Sequence, residues 1–553
     1  MSTPGAPVTG SSAPGAGNDR QAPGTTMPGQ HGRPGTSARG TFWLSALVGV
    51  IAAGVTLGIA ELVAVFVGAG SSPIFAVGAW VIDLVPGWFK TLIIDLFGTA
   101  DKAVLLITLT LLVLVLAGIA GILEYRRPPW GMVILIAVSG VAALAVVTRP
   151  DASGILALST VIGMIGGVVV LRALTARLHR WRDRTRPVSA AVSGTAALDR
   201  RSFVVYASVA AVGAAIVGFG ARMANAGSAA VSSVRTALTL PAAATPAPPV
   251  PTGAELGIPD LSSYVTPNAE FYRIDTALQV PAVDPTTWKL RIIGMVENEV
   301  EISWDELLAL PLTEHVATLS CVSNEVGGGL IGNALWLGYP IRELLARAKP
   351  TAGADMVLSR SADGWTAGTP LDVLQDAGTE ALLAVGMNGE PLPIDHGFPV
   401  RMVVPGLYGY VSATKWVTEL KVTTFADDFG YWSDKGWSEK GPIKTESRID
   451  TPRGGSTVKP GTVAVAGVAW APHTGIDGVE VRIDDGAWQK AKLADSASAD
   501  TWRQWVYEWE ASGGDHRIEV RATDASGYTQ TQKQAPPAPD GATGWHTVTV
   551  NVS

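Results

Sequence analysis

From Phe42 to Gly220 the chain is a series of long apolar runs, and beyond about Asp260 apolar and polar residues interleave. Runs near Phe42–Val67, Ala103–Leu123, Met132–Val147, Ile155–Leu171 and Phe203–Gly220 approach the length of about 20 residues that crosses a bilayer. They predict a transmembrane domain of about five helices over residues 41–225. Residues 75–98 are apolar at first, but Asp83, Pro86, Lys90 and Asp95 interrupt them. That pattern predicts an interfacial helix lying flat.

Cationic residues orient the spans. Arg33 and Arg39 precede the first run, Arg126 and Arg127 follow the second, and eight arginines from Arg172 to Arg201 crowd the stretch before the fifth. Five spans with the amino terminus inside place residues beyond 225 outside the cell membrane; a sixth span at 75–98 would reverse this. Leu198-Asp199-Arg200-Arg201-Ser202-Phe203 reads either as a twin-arginine export signal or as a plain basic anchor, and the first reading favours the outside.

The interleaved half divides by pattern. Residues 226–258 carry Pro241, Pro246, Pro248, Pro249 and Pro251 among alanines, which predicts a semi-rigid linker raising the rest off the membrane. Residues 259–425 mix strand-like Trp288–Gly294 with helical Trp304–Leu310 and Ile341–Ala348, which predicts an α+β domain. Residues 426–455 read as an irregular connection. From 456 to 553 the period is two: Val479, Val481 and Ile483, then Trp505, Tyr507 and Trp509, then Ile518, Val520 and Ala522, then Val548, Val550 and Val552. With a turn signal at Asp485-Gly486, this predicts an all-β sandwich of the immunoglobulin type. Its His473, His516 and His546 are expected at surfaces or turns.

Composition adds three constraints. Residues 1–40 are Gly, Pro, Ser and Thr with almost no large apolar residue, and are expected to be disordered. A net charge of −7, with no basic patch among aromatics, gives no reason to expect nucleic acid. There is one cysteine, Cys321, in Thr318-Leu319-Ser320-Cys321-Val322-Ser323-Asn324-Glu325-Val326-Gly327-Gly328. It is an inert core residue, a free thiol or a metal ligand. A lone cysteine is more often a small buried hydrophobe. The loop-like surroundings favour a soft ligand for a transition metal.

Two more stretches stand out. Thr266–Asp275 is one. The other is Met387-Asn388-Gly389-Glu390-Pro391-Leu392-Pro393-Ile394-Asp395-His396-Gly397-Phe398-Pro399-Val400-Arg401, continuing to Ala413-Thr414-Lys415-Trp416. Their glycines and prolines suit loops around a large ligand, and His396, Arg401 and Lys415 are donors fit for an anionic group. Singly, each is more often a solvated charge or an ion pair. Together with the cysteine loop, these stretches resemble the molybdopterin oxidoreductases of the sulfite oxidase superfamily, in membrane-anchored actinobacterial form.

The resemblance covers about Asp260 to Ser553. It implies a molybdenum–molybdopterin cofactor with Cys321 as the metal's protein thiolate. It further implies pterin contacts from Asn268, Tyr272 and Arg273, from Asp363 more loosely, from His396 and Arg401, and from Ala413, Thr414 and Lys415. The C-terminal module is then a dimerisation domain, giving a homodimer. The implied reaction is two-electron oxygen-atom transfer on a small sulfur or nitrogen compound. Sulfite is disfavoured. Glu325 follows Asn324 where a sulfite-binding arginine is expected, Trp365 falls where the active-site tyrosine is expected, and Ile274-Asp275 follows Arg273 in place of Asn-His.

One cysteine excludes a Cys-x-x-Cys-His haem, and the predicted spans hold no histidine, so no haem is expected. A separate cytochrome or quinone-linked subunit must then carry electrons. Two rival readings stay open. A transporter or sensor is kept alive by Glu61 inside the first span. An adhesion or scaffold protein built on the β module would leave the motif stretches without purpose.

Overall fold

The computed structural model describes residues 38–67, 71–85, 96, 101–148, 154–184, 201, 204–215, 228–278 and 280–553. The expected tail up to residue 37 and most of the arginine pair with its flanks lie outside these. Among the described residues, four helices are long and apolar enough to cross a membrane: Gly40–Val67, Val104–Arg126, Trp130–Val147 and Gly154–Asp183. Of the expected fifth span, only the shorter helix Val204–Ala215 is described. The segment expected to lie flat, 75–98, overlaps helix Pro73–Leu84, whose Ala76 is buried against Ala145 and Val146 of the third long helix.

Small residues set the helix spacing. A Cβ on Gly49 would lie 1.9 Å from the Ala117 carbonyl oxygen, and one on Gly121 2.1 Å from that of Ser45. Glycine at both places lets two backbones touch, which is how apolar helices associate without help from the hydrophobic effect. Glu61 is buried and accepts from Ser72 Oγ at 2.6 Å. The sequence reading singled out Glu61 alone, but Glu124 is buried as well, accepting from Met132 N at 2.9 Å and pairing with Arg172 at 3.4 Å.

The segment predicted as a semi-rigid linker is docked on the catalytic half. Helix Ser228–Ala237 buries Val231, and Arg235 donates to the Leu392 and Pro391 carbonyls, each at 2.7 Å. Ala244 N donates to Leu312 O at 2.8 Å, and Glu314 N to Thr245 O at 2.9 Å. Prolines suit such an edge segment, since they accept hydrogen bonds but do not donate.

The α+β half contains β1 (Lys289–Gly294), β2 (Val300–Ser303), β3 (Thr313–Ser320), β4 (Ile331–Pro340), β5 (Met356–Ser361), β6 (Thr366–Pro370), β7 (Leu382–Met387), β8 (Glu390–Pro391), β9 (Arg401–Val403) and β10 (Val417–Thr423). One sheet has the order β2-β1-β10-β5-β6, and the other β3-β4-β7-β8 with β9 paired to β7. The second sheet lies between two cores. Leu337 and Tyr339 join Leu383, Val385 and Met402 on one face, while Ala334 and Trp336 join Leu382, Ala384 and Val403 on the other. Side chains alternate across a strand, so burial on both faces makes β4 and β7 apolar almost throughout. Helix Ile341–Ala348 covers one face with Ile341, Leu344, Leu345 and Ala348, the spacing of a single helical stripe.

The C-terminal half is all β, with β11 (Glu446–Thr451), β12 (Thr457–Val458), β13 (Gly461–Trp470), β14 (Ile476–Ile483), β15 (Gln489–Lys490), β16 (Lys492–Leu493), β17 (Arg503–Ala511), β18 (Gly514–Asp524) and β19 (His546–Val552). Two sheets, β11-β13-β17-β16 and β12-β19-β18-β14-β15, close on a core that includes Val479, Val481, Trp505, Trp509, Ile518, Val520, Val548 and Val550. The two halves are tied at β3. Trp502 N donates to Thr318 Oγ1 at 2.8 Å, and His315 Nε2 lies 2.8 Å from Asp500 Oδ2.

Candidate active site

Cys321 follows β3 directly and opens the loop to β4. Cys321 N donates to Leu330 O at 2.9 Å, Asn324 N to Cys321 O at 3.0 Å, and Leu330 N to Asn324 Oδ1 at 2.8 Å, so the loop is closed on itself. The thiol is buried. Burial pushes its pKa up, although hydrogen bonds from the backbone and side chain of Ser323 pull the other way. A buried thiol of that kind stays neutral unless a cation takes the place of its proton.

Arg401 opens β9, paired with Ala384 of β7. Its residue is 5% exposed, and its guanidinium meets the His396 carbonyl at 3.1 Å, the Met402 carbonyl at 3.4 Å and the Trp336 ring at 5.1 Å. No carboxylate pairs with it among the described residues. Burial brings its pKa down to about 10. Tyr272 feels the charges of both this residue and the cysteine. Its hydroxyl is held above its ordinary pKa, first by burial, then by Cys321, against a smaller opposing pull from Arg401.

His396 ends a short 3₁₀ turn, followed by Gly397 at φ +112°. A Cβ on Gly397 would lie 3.0 Å from Arg401 Cβ and 3.1 Å from Lys415 Cβ, so glycine lets the turn press onto both cations. Burial, then the Arg401 and Lys415 charges, bring the His396 pKa down to about 4. Lys415 Nζ donates to Asp275 Oδ2 at 2.7 Å and to Asp395 O at 3.0 Å. Its pKa falls to about 8, burial outweighing the Asp275 charge. Arg273 Nε shares Asp275 at 3.1 Å.

The structure thus brings together Cys321, Tyr272, Arg273, His396, Arg401 and Lys415. Asn268 reaches His396 through its backbone, but its side chain is engaged elsewhere, donating to Glu390 Oε1 at 2.8 Å and accepting from Asn388 Nδ2 at 2.8 Å. Thr414 is buried with its hydroxyl 2.7 Å from Ser359 Oγ, and its carbonyl accepts from Met402 N at 2.9 Å, which positions β9. Half-buried Ala413 donates to Gly409 O at 3.0 Å. Asp363 makes none of these contacts; it caps its own hairpin, accepting from Trp365 N at 3.3 Å.

Two expectations change. Glu325 is exposed rather than facing the buried thiol. A guanidinium does reach the cysteine loop, from the other half of the chain. Arg448 of β11 donates to Gly328 O at 2.7 Å and to Ser262 Oγ at 2.9 Å, and pairs with Asp450 at 2.6 Å. His546, expected at a surface or turn, is turned inward, accepting from Ile449 N at Nδ1 at 2.9 Å. A Cβ on Gly327 would lie 2.2 Å from its ring, and burial brings its pKa down to about 4. Neither contact has a signal in sequence spacing.

A buried cation without an anion, in a cradle of further donors, fits an anionic cofactor with phosphate. A neutral buried thiol at its edge fits a thiolate-binding metal. The oxidoreductase molybdopterin binding domain matches residues 277–432. Mitochondrial sulfite oxidase of Homo sapiens is 31% identical over 324 residues, covering 50% of this chain and 58% of that one. The chain therefore spans little more than half the length of such relatives. The uncharacterized oxidoreductase YuiH of Bacillus subtilis is 32% identical over 158 residues, covering 29% of this chain and 76% of that protein. Among solved structures, the sulfane dehydrogenase SoxCD of Paracoccus pantotrophus is similar over 53% of this chain and 84% of that one, at 24% identity and a TM-score of 0.46.

Proposed function

The chain is a molybdopterin oxidoreductase of the sulfite oxidase superfamily, and from that premise we propose that it is a membrane-anchored extracytoplasmic enzyme transferring one oxygen atom to or from a small sulfur compound. The observation that carries the site is Arg401, a buried guanidinium whose partners among the described residues are carbonyls and a ring. Such a charge is costly unless a bound anion completes it. His396, Arg273 and Lys415 extend the cradle, and Asp275 tempers the last two. When bound, molybdenum–molybdopterin supplies the two-electron oxygen chemistry, and the protein supplies orientation and charge. Cys321 is the thiolate for the metal, Tyr272 a donor beside it, and the closed loop from Cys321 to Leu330 fixes the sulfur's direction.

Arg448 is already engaged by Asp450, so it adds little free charge for a dianion, whereas a neutral sulfoxide needs none. We take the C-terminal half as an immunoglobulin-like dimerisation module and a separate cytochrome or quinone-linked subunit as the electron partner. In the test, wild type and Cys321→Ser are compared for molybdenum content and for two activities: sulfite with ferricyanide, and dimethyl sulfoxide with reduced viologen. Wild type is expected to hold about one molybdenum per chain and turn over one substrate, and the variant to fold but lose turnover at least a hundredfold. A fully active variant would sink the assignment.

A further inference from the structure

The seam between the two halves holds a buried acid that the site described so far does not use. Glu446 opens β11 and is 4% exposed, and its Oε1 is buried with no hydrogen-bond partner among the described residues. It pairs across the sheet with Trp470, whose indole N–H is likewise buried without an acceptor. Paired residues share a sheet face, so an acceptor and a donor, both unmet, sit in one patch. Trp470 packs in a cluster with Ile331, next to the end of the cysteine loop.

Tyr408 supplies the other side. It is buried in the catalytic half and accepts from Lys444 N at 3.4 Å, but its own O–H has no acceptor among the described residues. Its hydroxyl feels the charges of Glu446, Cys321 and Asp540, in that order. A Cβ on Gly541 would lie 2.6 Å from this oxygen, so a glycine there keeps it uncovered. Lys444 Nζ donates to Asp540 Oδ1 at 3.0 Å and to Gly541 O at 2.7 Å, and the Asp540 side chain is 54% exposed. Tyr408 is thus linked to Lys444 by a hydrogen bond and to Glu446, Cys321 and Asp540 by charge, and the Lys444–Asp540 pair reaches the surface.

We propose that Glu446 exchanges turnover protons with the site through the Tyr408 hydroxyl, the Lys444–Asp540 pair being the way to solvent. This rests on the oxygen-transfer reading. Oxidation of a substrate X by water, X + H₂O → XO + 2H⁺ + 2e⁻, releases two protons while the electrons pass to a cytochrome or quinone acceptor. Reduction of XO draws both protons back, with electrons from the reduced form of that carrier. A general acid or base works best with its pKa near the operating pH, and burial, opposed only by Lys444, raises that of Glu446 to about 8. Glu446 is a positioning and proton-carrying residue; it does not touch the cofactor cradle.

The test uses the full cofactor-loaded protein and its cofactor-free form, as wild type, Glu446→Gln, Glu446→Asp and Tyr408→Phe. A carboxyl whose pKa rises on folding makes stability fall as pH climbs from its unfolded value toward about 8. The unfolding midpoint of wild type should therefore drop relative to Glu446→Gln over that range, with or without cofactor. In loaded protein, Glu446→Gln and Tyr408→Phe should keep their molybdenum, lose about tenfold or more in kcat and lose the pH limb, while Glu446→Asp restores most of it. Unchanged kcat and pH profile in a Glu446→Gln protein with full molybdenum would overturn the relay. So would identical melting of wild type and variant across that range. Wild type without molybdenum would instead overturn the oxygen-transfer reading, and the relay with it.

Discussion

Arg401 sits against two carbonyls and a tryptophan face with no carboxylate beside it among the described residues, so the bare chain carries a desolvation cost that a bound anion would offset. Arg401→Met is expected to leave the cofactor-free fold equally stable or about 1–3 kcal/mol more stable. It should also lower molybdenum retention at least tenfold, checked by chemical denaturation and metal assay. Loss of stability with full metal retention would mean that the guanidinium serves packing instead. The motif stretches were legible as donor-rich loops, and Cys321 as an odd thiol. What spacing does not state is that Tyr272 feels the charges of both Cys321 and Arg401, or that Asp275 binds two of the cations. Arg448 and His546 come from distant strands, and only folding brings them to the cysteine loop.

Between elements, the contact of the cysteine loop with β19 decides how the two halves fit. Gly327 has φ +78°, and a side chain there would run into His546. Gly327→Ala is expected to destabilise by about 2 kcal/mol or more, through strain and the displaced ring, in a melting assay. His396 and His546 both have folded pKa values of about 4 against an ordinary 6.5. The unfolded chain therefore binds more protons between those values, and stability is lost as pH falls through them, by up to about 3 kcal/mol for each group. In cofactor-free protein, His546→Gln should remove roughly half of this acid sensitivity. Strand alternation in the β half was readable because one face of each sheet is buried. The hairpin was placed one residue late: Asp484 and Asp485 take the positive φ values and Gly486 N closes the turn on Ile483 O at 2.9 Å. Aspartate tolerates that backbone, so composition alone did not fix the register.

For the whole molecule, the misread segment is the proline-rich one. Composition says "linker", yet Val231, Leu238 and Leu240 pack on the catalytic half, and Arg235 binds the 390–392 stretch just before the His396 turn. Prolines exclude an interior strand but not an edge, and periodicity is too weak to show docking. A truncation beginning at Ser228 is expected to fold and keep the cofactor, whereas one beginning at Thr252 should melt at a lower temperature and expose Leu392 and Val403 to hydrogen exchange. Equal melting of the two would show that the docked segment contributes nothing.

Because that segment is fastened down from Ser228, only residues 216–227 separate the last described apolar helix from the catalytic body. Even pulled straight, a stretch of that length reaches about 40 Å. If the apolar helices lie in a bilayer, the oxygen chemistry happens within one protein diameter of the lipid surface. Its redox partner must then meet it there, sliding along the membrane or floating just above it, rather than waiting for a long-armed domain to swing out.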